Sequence, residues 1–208
     1  MRTRSKLLFA SVTVALLLSM AVGSVSARDL SITNRAFRIV WTDLRLSNHS
    51  GQLFISCPVT LEGSFRSATI HKVEELLIGY MTRGTVVGGA CTGGRATVNQ
   101  EALPWHIRYG GFSGRLPTIT LITMNIIVTK YEVESAGLTC KVQTPVATPL
   151  RINAAIGEGG GMTEIIVEET LIPLRTSFFC AIIGEGFFAG RGRVTLLGNT
   201  TTISIRLI

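Results

Sequence analysis

The sequence predicts a mainly β protein: an antiparallel β-sandwich or flattened barrel, with one amphipathic helix at about 67–83 and two disulfides. Three observations predict it. Apolar and polar residues alternate with a period of two in several segments, as in half-buried strands. Clusters of Gly, Pro, Asn and Ser separate those segments. Four cysteines follow an export-type N-terminus, which places them in an oxidising compartment.

The N-terminus comes first. "MRTRSK" is basic, "LLFASVTVALLLSMAVG" is apolar, and "SVSA" ends in small residues. That order predicts a secretory signal peptide over 1–27, cleaved after Ala27, and a single secreted β domain over 28–208. An uncleaved anchor is the competing reading, because the apolar run is about long enough to span a bilayer. No later segment is that long and apolar, so no transmembrane segment is expected after cleavage. The whole chain carries +7, but Arg2, Arg4 and Lys6 belong to the export signal, which leaves +4 (+7 less three). With no Lys/Arg run, that footprint does not predict nucleic-acid binding.

The strands follow in order. In "CPVTLEGSFR" (57–66), Cys57, Val59, Leu61, Gly63 and Phe65 share one face, and Pro58, Thr60, Glu62, Ser64 and Arg66 the other. Further strands are expected at 35–46, 104–112, 118–134 and 163–174. Segments 193–197 and 201–208 flank Gly198-Asn199-Thr200 and read as a hairpin. One segment breaks the period. Ile70, Val73, Leu76, Leu77, Tyr80 and Met81 recur in steps of three and four, which is the apolar face of a helix. The turn-rich "GGFSGRLPT" (110–118) lies midway between Cys91 and Cys140. An unbroken hairpin folded there sets those two cysteines opposite each other, predicting Cys91–Cys140 and, by remainder, Cys57–Cys180. "AAIGEGGGMT" (154–163) reads as the most mobile loop.

"LPWHIRYGGFSGRLPTIT" and the ending "VTLLGNTTTISIRLI", with the flanking Cys91 and Cys140, resemble a group of uncharacterised secreted actinobacterial β proteins. The resemblance spans most of the chain after the signal peptide. It implies a bacterial exported β protein and carries over no catalytic residue.

Chemistry is sparse. "GFSGR" (111–115) lacks the last glycine of a nucleophile elbow. His49, His71 and His106 come with no partner pattern, and no metal-ligand spacing occurs, so neither a metal nor a cofactor is expected. "GEGGG" (157–161) and "GEGFFAG" (184–190) lack the Lys-Ser/Thr of a phosphate loop. Asn48 and Asn199 begin N-x-S/T sequons, both in turns. Trp105, Ile107 and Tyr109 share a strand face with Phe112 just beyond; buried, they are core, and exposed, Trp105, Tyr109 and Phe112 could stack on sugar rings. The small number of aromatics favours core.

"CPVTLEGSF" and "CAIIGEGFF" both fit C-x4-E-G-x-F and raise a glycosidase dyad, Glu62 with Glu185. Antiparallel pairing of the two strands would carry the glutamates far apart, and antiparallel is the commoner arrangement. The functional expectation is a non-enzymatic extracellular or cell-envelope binding or structural domain, with a glycan or envelope component as partner. One alternative is a secreted hydrolase acting on carbohydrate or another polymer. The other is a barrel holding a small apolar ligand, which calls for a cavity of several hundred Å³. An outer-membrane barrel is disfavoured by the four cysteines, the missing aromatic girdles and the terminal Ile208.

Overall fold

A computed structural model describes residues 29–48, 54–87, 90–135, 137–144, 146–175 and 185–208. The protein is all-β. In chain order the strands are β1 (Leu30–Ile32), β2 (Ala36–Asn48), β3 (Phe54–Phe65), β4 (Thr69–Ile70), β5 (Leu77–Val86), β6 (Arg95–Val98) and β7 (Trp105–Ser113). They continue with β8 (Leu121–Ile127), β9 (Lys130–Ser135), β10 (Leu138–Gln143), β11 (Leu150–Ile156), β12 (Met162–Arg175), β13 (Glu185–Leu196) and β14 (Ile205–Leu207).

Eight strands close a barrel in the order β2–β3–β5–β7–β8–β11–β12–β13, and β13 pairs back onto β2. Every pairing is antiparallel and the order follows the chain, so this is an up-and-down closed barrel. Of the two expected architectures, the sandwich is therefore incorrect. Period-2 patterning is common to both folds and does not say whether a sheet closes on itself.

Alternate residues of each wall strand point inward and are buried: Phe37, Ile39 and Trp41 on β2, Leu61 on β3, Met81 on β5, and Trp105 and Ile107 on β7. Ile122, Met124 and Ile126 on β8, Ile152 on β11, Ile165 on β12 and Val194 on β13 also line the lumen. Two glycines make room for its rings. A Cβ on Gly192 would lie 2.8 Å from the Trp41 indole, and one on Gly63 would lie 2.7 Å from Phe37 Cζ. The lumen is thus filled by large side chains fitted against small ones.

Each end is covered. At one end a small sheet, β14–β1–β4, contributes the buried Leu30, Ile32, Ile70 and Ile205. At the other end β10 pairs with the extension of β12 and carries a flap, β10–β9–β6, whose buried face includes Val98, Tyr131, Val133 and Val142.

The helix expected at 67–83 does not form. Its residues make β4, a turn at Glu74 and Glu75, and β5. The steps of three and four were coincidental: Val73 and Leu76 are exposed, whereas Met81 faces the lumen. Gly79 and Gly84 weaken a helix, and β5 gains two ladders by pairing with β3 and β7.

The expected disulfide pairing is also corrected. Cys57 is bonded to Cys91, with Cα atoms 4.2 Å apart. This is the one disulfide seen whole among the described residues. Cys140 is itself disulfide-bonded, and Cys180 lies outside the described residues. The hairpin at 110–118 does form, with Ser113 opposite Leu121 and His106 opposite Ile127. It stops at Val128, however, whose φ of 64° turns the chain out of the wall and into β9. The register that would have aligned Cys91 with Cys140 is lost there. Nor do the last two segments form a hairpin: after the Leu196 N–H···O Thr201 bond of 2.8 Å, β14 pairs with β1.

Candidate functional site

The aromatic stripe is core. Trp105 and Tyr109 point into the lumen and are almost wholly buried. Burial holds the Tyr109 phenol above its ordinary pKa. Phe112 is partly buried at the end of β7, with the Lys72 ammonium 4.9 Å from its ring centre.

Nor do the two glutamates meet. Glu62 faces Arg38 on β2, and Arg38 faces Thr195 on β13; Glu185 lies ten residues along β13 from there, roughly 33 Å at 3.3 Å per residue. Glu62 has a structural role, with its Oε1 2.8 Å from Arg38 Nη2 and its Oε2 3.9 Å from Arg83 Nη1. Of the histidines, His71 Nδ1 is 2.8 Å from Asp29 Oδ2 and His106 packs edge-on against Tyr80. His49 lies outside the described residues. Among the described residues no group of three or more His, Cys, Asp or Glu side chains is placed to hold a metal.

A polar cluster sits on the outer wall. The Asn125 amide donates to Glu75 Oε1 at 2.6 Å, and Arg108 Nη1 donates to Glu75 Oε2 at 3.4 Å. Glu75 reaches them from a turn in which its φ is 61°. Beneath it, Arg108 Nε and Asn125 Oδ1 are buried without a partner.

A ligand-sized concavity lies at the β14 end. A groove of about 490 Å³ opens between the β7–β8 turn, the β11–β12 turn and β14. Ile119, Ile156 and Ile205 form its buried floor, and Leu207 is partly exposed in its wall. Thr118, Thr120, Glu158 and Arg206 supply polar groups at the rim. The β11–β12 turn is held by Gly157 N–H···O Gly161 at 2.8 Å and Gly160 N–H···O Gly157 at 3.0 Å. Gly160 has φ 83°, and a Cβ on it would lie 2.6 Å from the Ile205 carbonyl oxygen, so glycine lets this turn rest on β14. The segment read as a mobile loop is therefore the end of β11, a one-turn 3-10 helix at Glu158–Gly160 and the start of β12. The groove was missed because its lining comes from three distant segments. The one sequence signal for it was the glycine cluster at 157–161.

The fold and the groove together define a closed β-barrel with a filled apolar lumen and a ligand-sized concavity at one mouth. Comparison with protein-family models, curated proteins and solved structures finds no match.

Proposed function

We propose that this is an exported, non-enzymatic binding protein: a barrel that takes a small, largely apolar ligand in the groove at its β14 end. The observation that carries the reading is the groove itself. Its volume of about 490 Å³ falls in the range that small-molecule sites occupy, and barrel mouths are a common place for such sites. The lumen does not serve, since Trp41, Trp105, Ile107 and Met81 fill it. Four apolar side chains would supply contact area, and Thr118, Thr120, Arg206 and Glu158 would orient a polar end group.

Export agrees with the N-terminal pattern and the disulfide. No helix among the described residues is long and apolar enough to cross a membrane. The wall is also inverted relative to a membrane barrel. Its outward residues include Arg38, Arg45, Arg83, Arg151, Arg191 and Arg193, where a lipid-facing band would be apolar. Hydrolase chemistry gains no support, because the only two carboxylates with matched sequence context lie far apart.

The test is a fluorescence titration with N-phenyl-1-naphthylamine. Wild type is expected to bind one equivalent saturably. Thr120→Trp, which puts an indole into the groove from an exposed position, is expected to weaken binding at least tenfold with an unchanged melting temperature. Absence of saturable binding to wild type refutes the reading.

A further inference from the structure

The two charged side chains that line the groove at the β14 end are held in different ways. Arg206 stands on β14, where the ladder with β1 sets it opposite Ser31. Along that strand Ile205 and Leu207 share one face and Arg206 takes the other. Its stem reaches the groove by folding toward the β11–β12 turn: Arg206 Cγ lies 3.5 Å from where a Cβ on Gly160 would stand. Gly160 thus leaves a bed on which the aliphatic stem lies, with the guanidinium beyond it. Glu158 has no such bed. It sits in the one-turn 3-10 helix next to Gly157 and Gly159, and Gly159 has φ 81°. Its side chain is exposed.

Both charges are free to meet a ligand. Among the described residues nothing pairs with the Arg206 guanidinium or the Glu158 carboxylate. Asp29, just before β1, is taken up by His71, whose Nδ1 is 2.8 Å from its Oδ2. Arg115 heads the β7–β8 turn, where its carbonyl accepts the Thr118 N–H at 2.7 Å, and its side chain is exposed. The mouth therefore sets two arginines against one glutamate, and the charge whose stem is fixed by packing is positive. Beside it lies the buried floor of Ile119, Ile156 and Ile205.

We infer that the groove selects an apolar molecule that ends in a carboxylate, and that Arg206 is the residue that selects it. The inference rests on the groove being the ligand site. The apolar tail covers the three isoleucines. The carboxylate accepts from the guanidinium, whose forked N–H groups match its two oxygens. The Thr118 and Thr120 hydroxyls, also in the groove lining, are further donors for the same group. An alcohol with the same tail loses the charge-assisted bond, and an amine meets Arg206 as a like charge. Arg115 adds attraction from further off, and Glu158 subtracts from it.

The experiment is isothermal calorimetry with decanoate, decan-1-ol and decylamine below their aggregation limits, with N-phenyl-1-naphthylamine titrated in parallel. The readout is the ratio of affinities for decanoate and decanol, in which the contacts of the shared tail cancel. In wild type at low salt decanoate is expected to bind about tenfold more tightly than decanol. In 1 M salt the ratio should fall. Arg206→Gln is expected to bring the ratio near one, Arg206→Lys to restore part of it, and Glu158→Gln to raise it. The salt series on wild type keeps the test intact if an Arg206 variant does not fold. The inference is overturned if decanoate has no advantage over decanol, if decylamine binds more tightly than decanoate, or if folded Arg206→Gln keeps the wild-type ratio. If N-phenyl-1-naphthylamine binds and decanoate shows no advantage, the carboxylate assignment fails and the groove reading stands. If neither the naphthylamine nor any decyl compound binds, both fall.

Discussion

The rings of Trp105 and Tyr131 lie 4.9 Å apart, centre to centre, and join the barrel lumen to the flap that covers it. Tyr131 in turn stands 5.4 Å from Phe188 on β13. The flap therefore shares one core with the wall.

That core makes stability sensitive to alkali. Burial pushes the Tyr131 phenol above its ordinary value of 10.0. Below about pH 9 folded and unfolded chains both keep the proton, and stability does not depend on this group. Above pH 10 the unfolded chain ionises first, so stability falls as pH rises, by up to about 1.4 kcal/mol per unit for one tyrosine. Urea denaturation between pH 8 and 11 is expected to show that fall, and Tyr131→Phe is expected to reduce its slope. Tyr109 pulls in the same direction.

Gly63 is expected to tolerate no side chain. A Cβ there would overlap the Tyr80 carbonyl oxygen and sit 2.7 Å from Phe37 Cζ. Both are fixed, one in the β3–β5 ladder and the other in the lumen. Gly63→Ala is expected to cost about 1–3 kcal/mol of unfolding free energy, measured by denaturant melts. A neutral result would mean that the β3–β5 ladder gives way easily.

Glu75 sets two effects against each other. Its left-handed backbone costs on the order of 1 kcal/mol for a non-glycine residue, and its carboxylate satisfies Arg108 and Asn125. Glu75→Ala keeps the strain and loses the partner, so a loss of about 1–3 kcal/mol is expected. Glu75→Gly relieves the strain and should recover part of that loss. Equal stability of the two variants would show that the backbone conformation costs nothing.

The Arg38–Glu62–Arg83 group should respond to salt. Glu62→Gln leaves two guanidinium groups facing each other across β3, and a loss of about 1 kcal/mol is expected at low ionic strength. In 1 M salt the loss should shrink, because the arginine side chains are largely exposed. A salt-independent loss would point to packing instead.

Much of the wall was legible from residue order. β2, β3, β7 and β12 fall where alternation placed them, because each has one face in the core and one in water. The turn between β7 and β8 was legible from its glycines and proline. What failed had a common cause: the deciding partner was distant in sequence. β5 is a strand because β3 and β7 flank it, and its local pattern favoured a helix. Cys57 meets Cys91 because a bridge between Ser56 and Thr92 sets their segments side by side, while Val128 bends one predicted strand into two and takes Cys140 out of register; nothing in "IIVTKY" announces a valine at positive φ. The separation of Glu62 from Glu185 was legible in outcome, through the commonness of antiparallel pairing. Its geometry differs from the one pictured, since β2 lies between their strands. The groove was not legible, since its floor is assembled from Ile119, Ile156 and Ile205.

Closing the ring through β13 and β2 has a consequence for behaviour at high concentration. A finite sheet offers unpaired amides and carbonyls to any neighbouring chain, and stacking of such borders is how proteins recruit one another into fibrils. Here the eight long strands have no border to offer. Among the described residues, the outermost strands left are β4, β6 and β14, of two, four and three residues. Recruitment would have to wait for the ring to break, so its rate should follow the fraction of unfolded chains and not the amount of folded protein in solution.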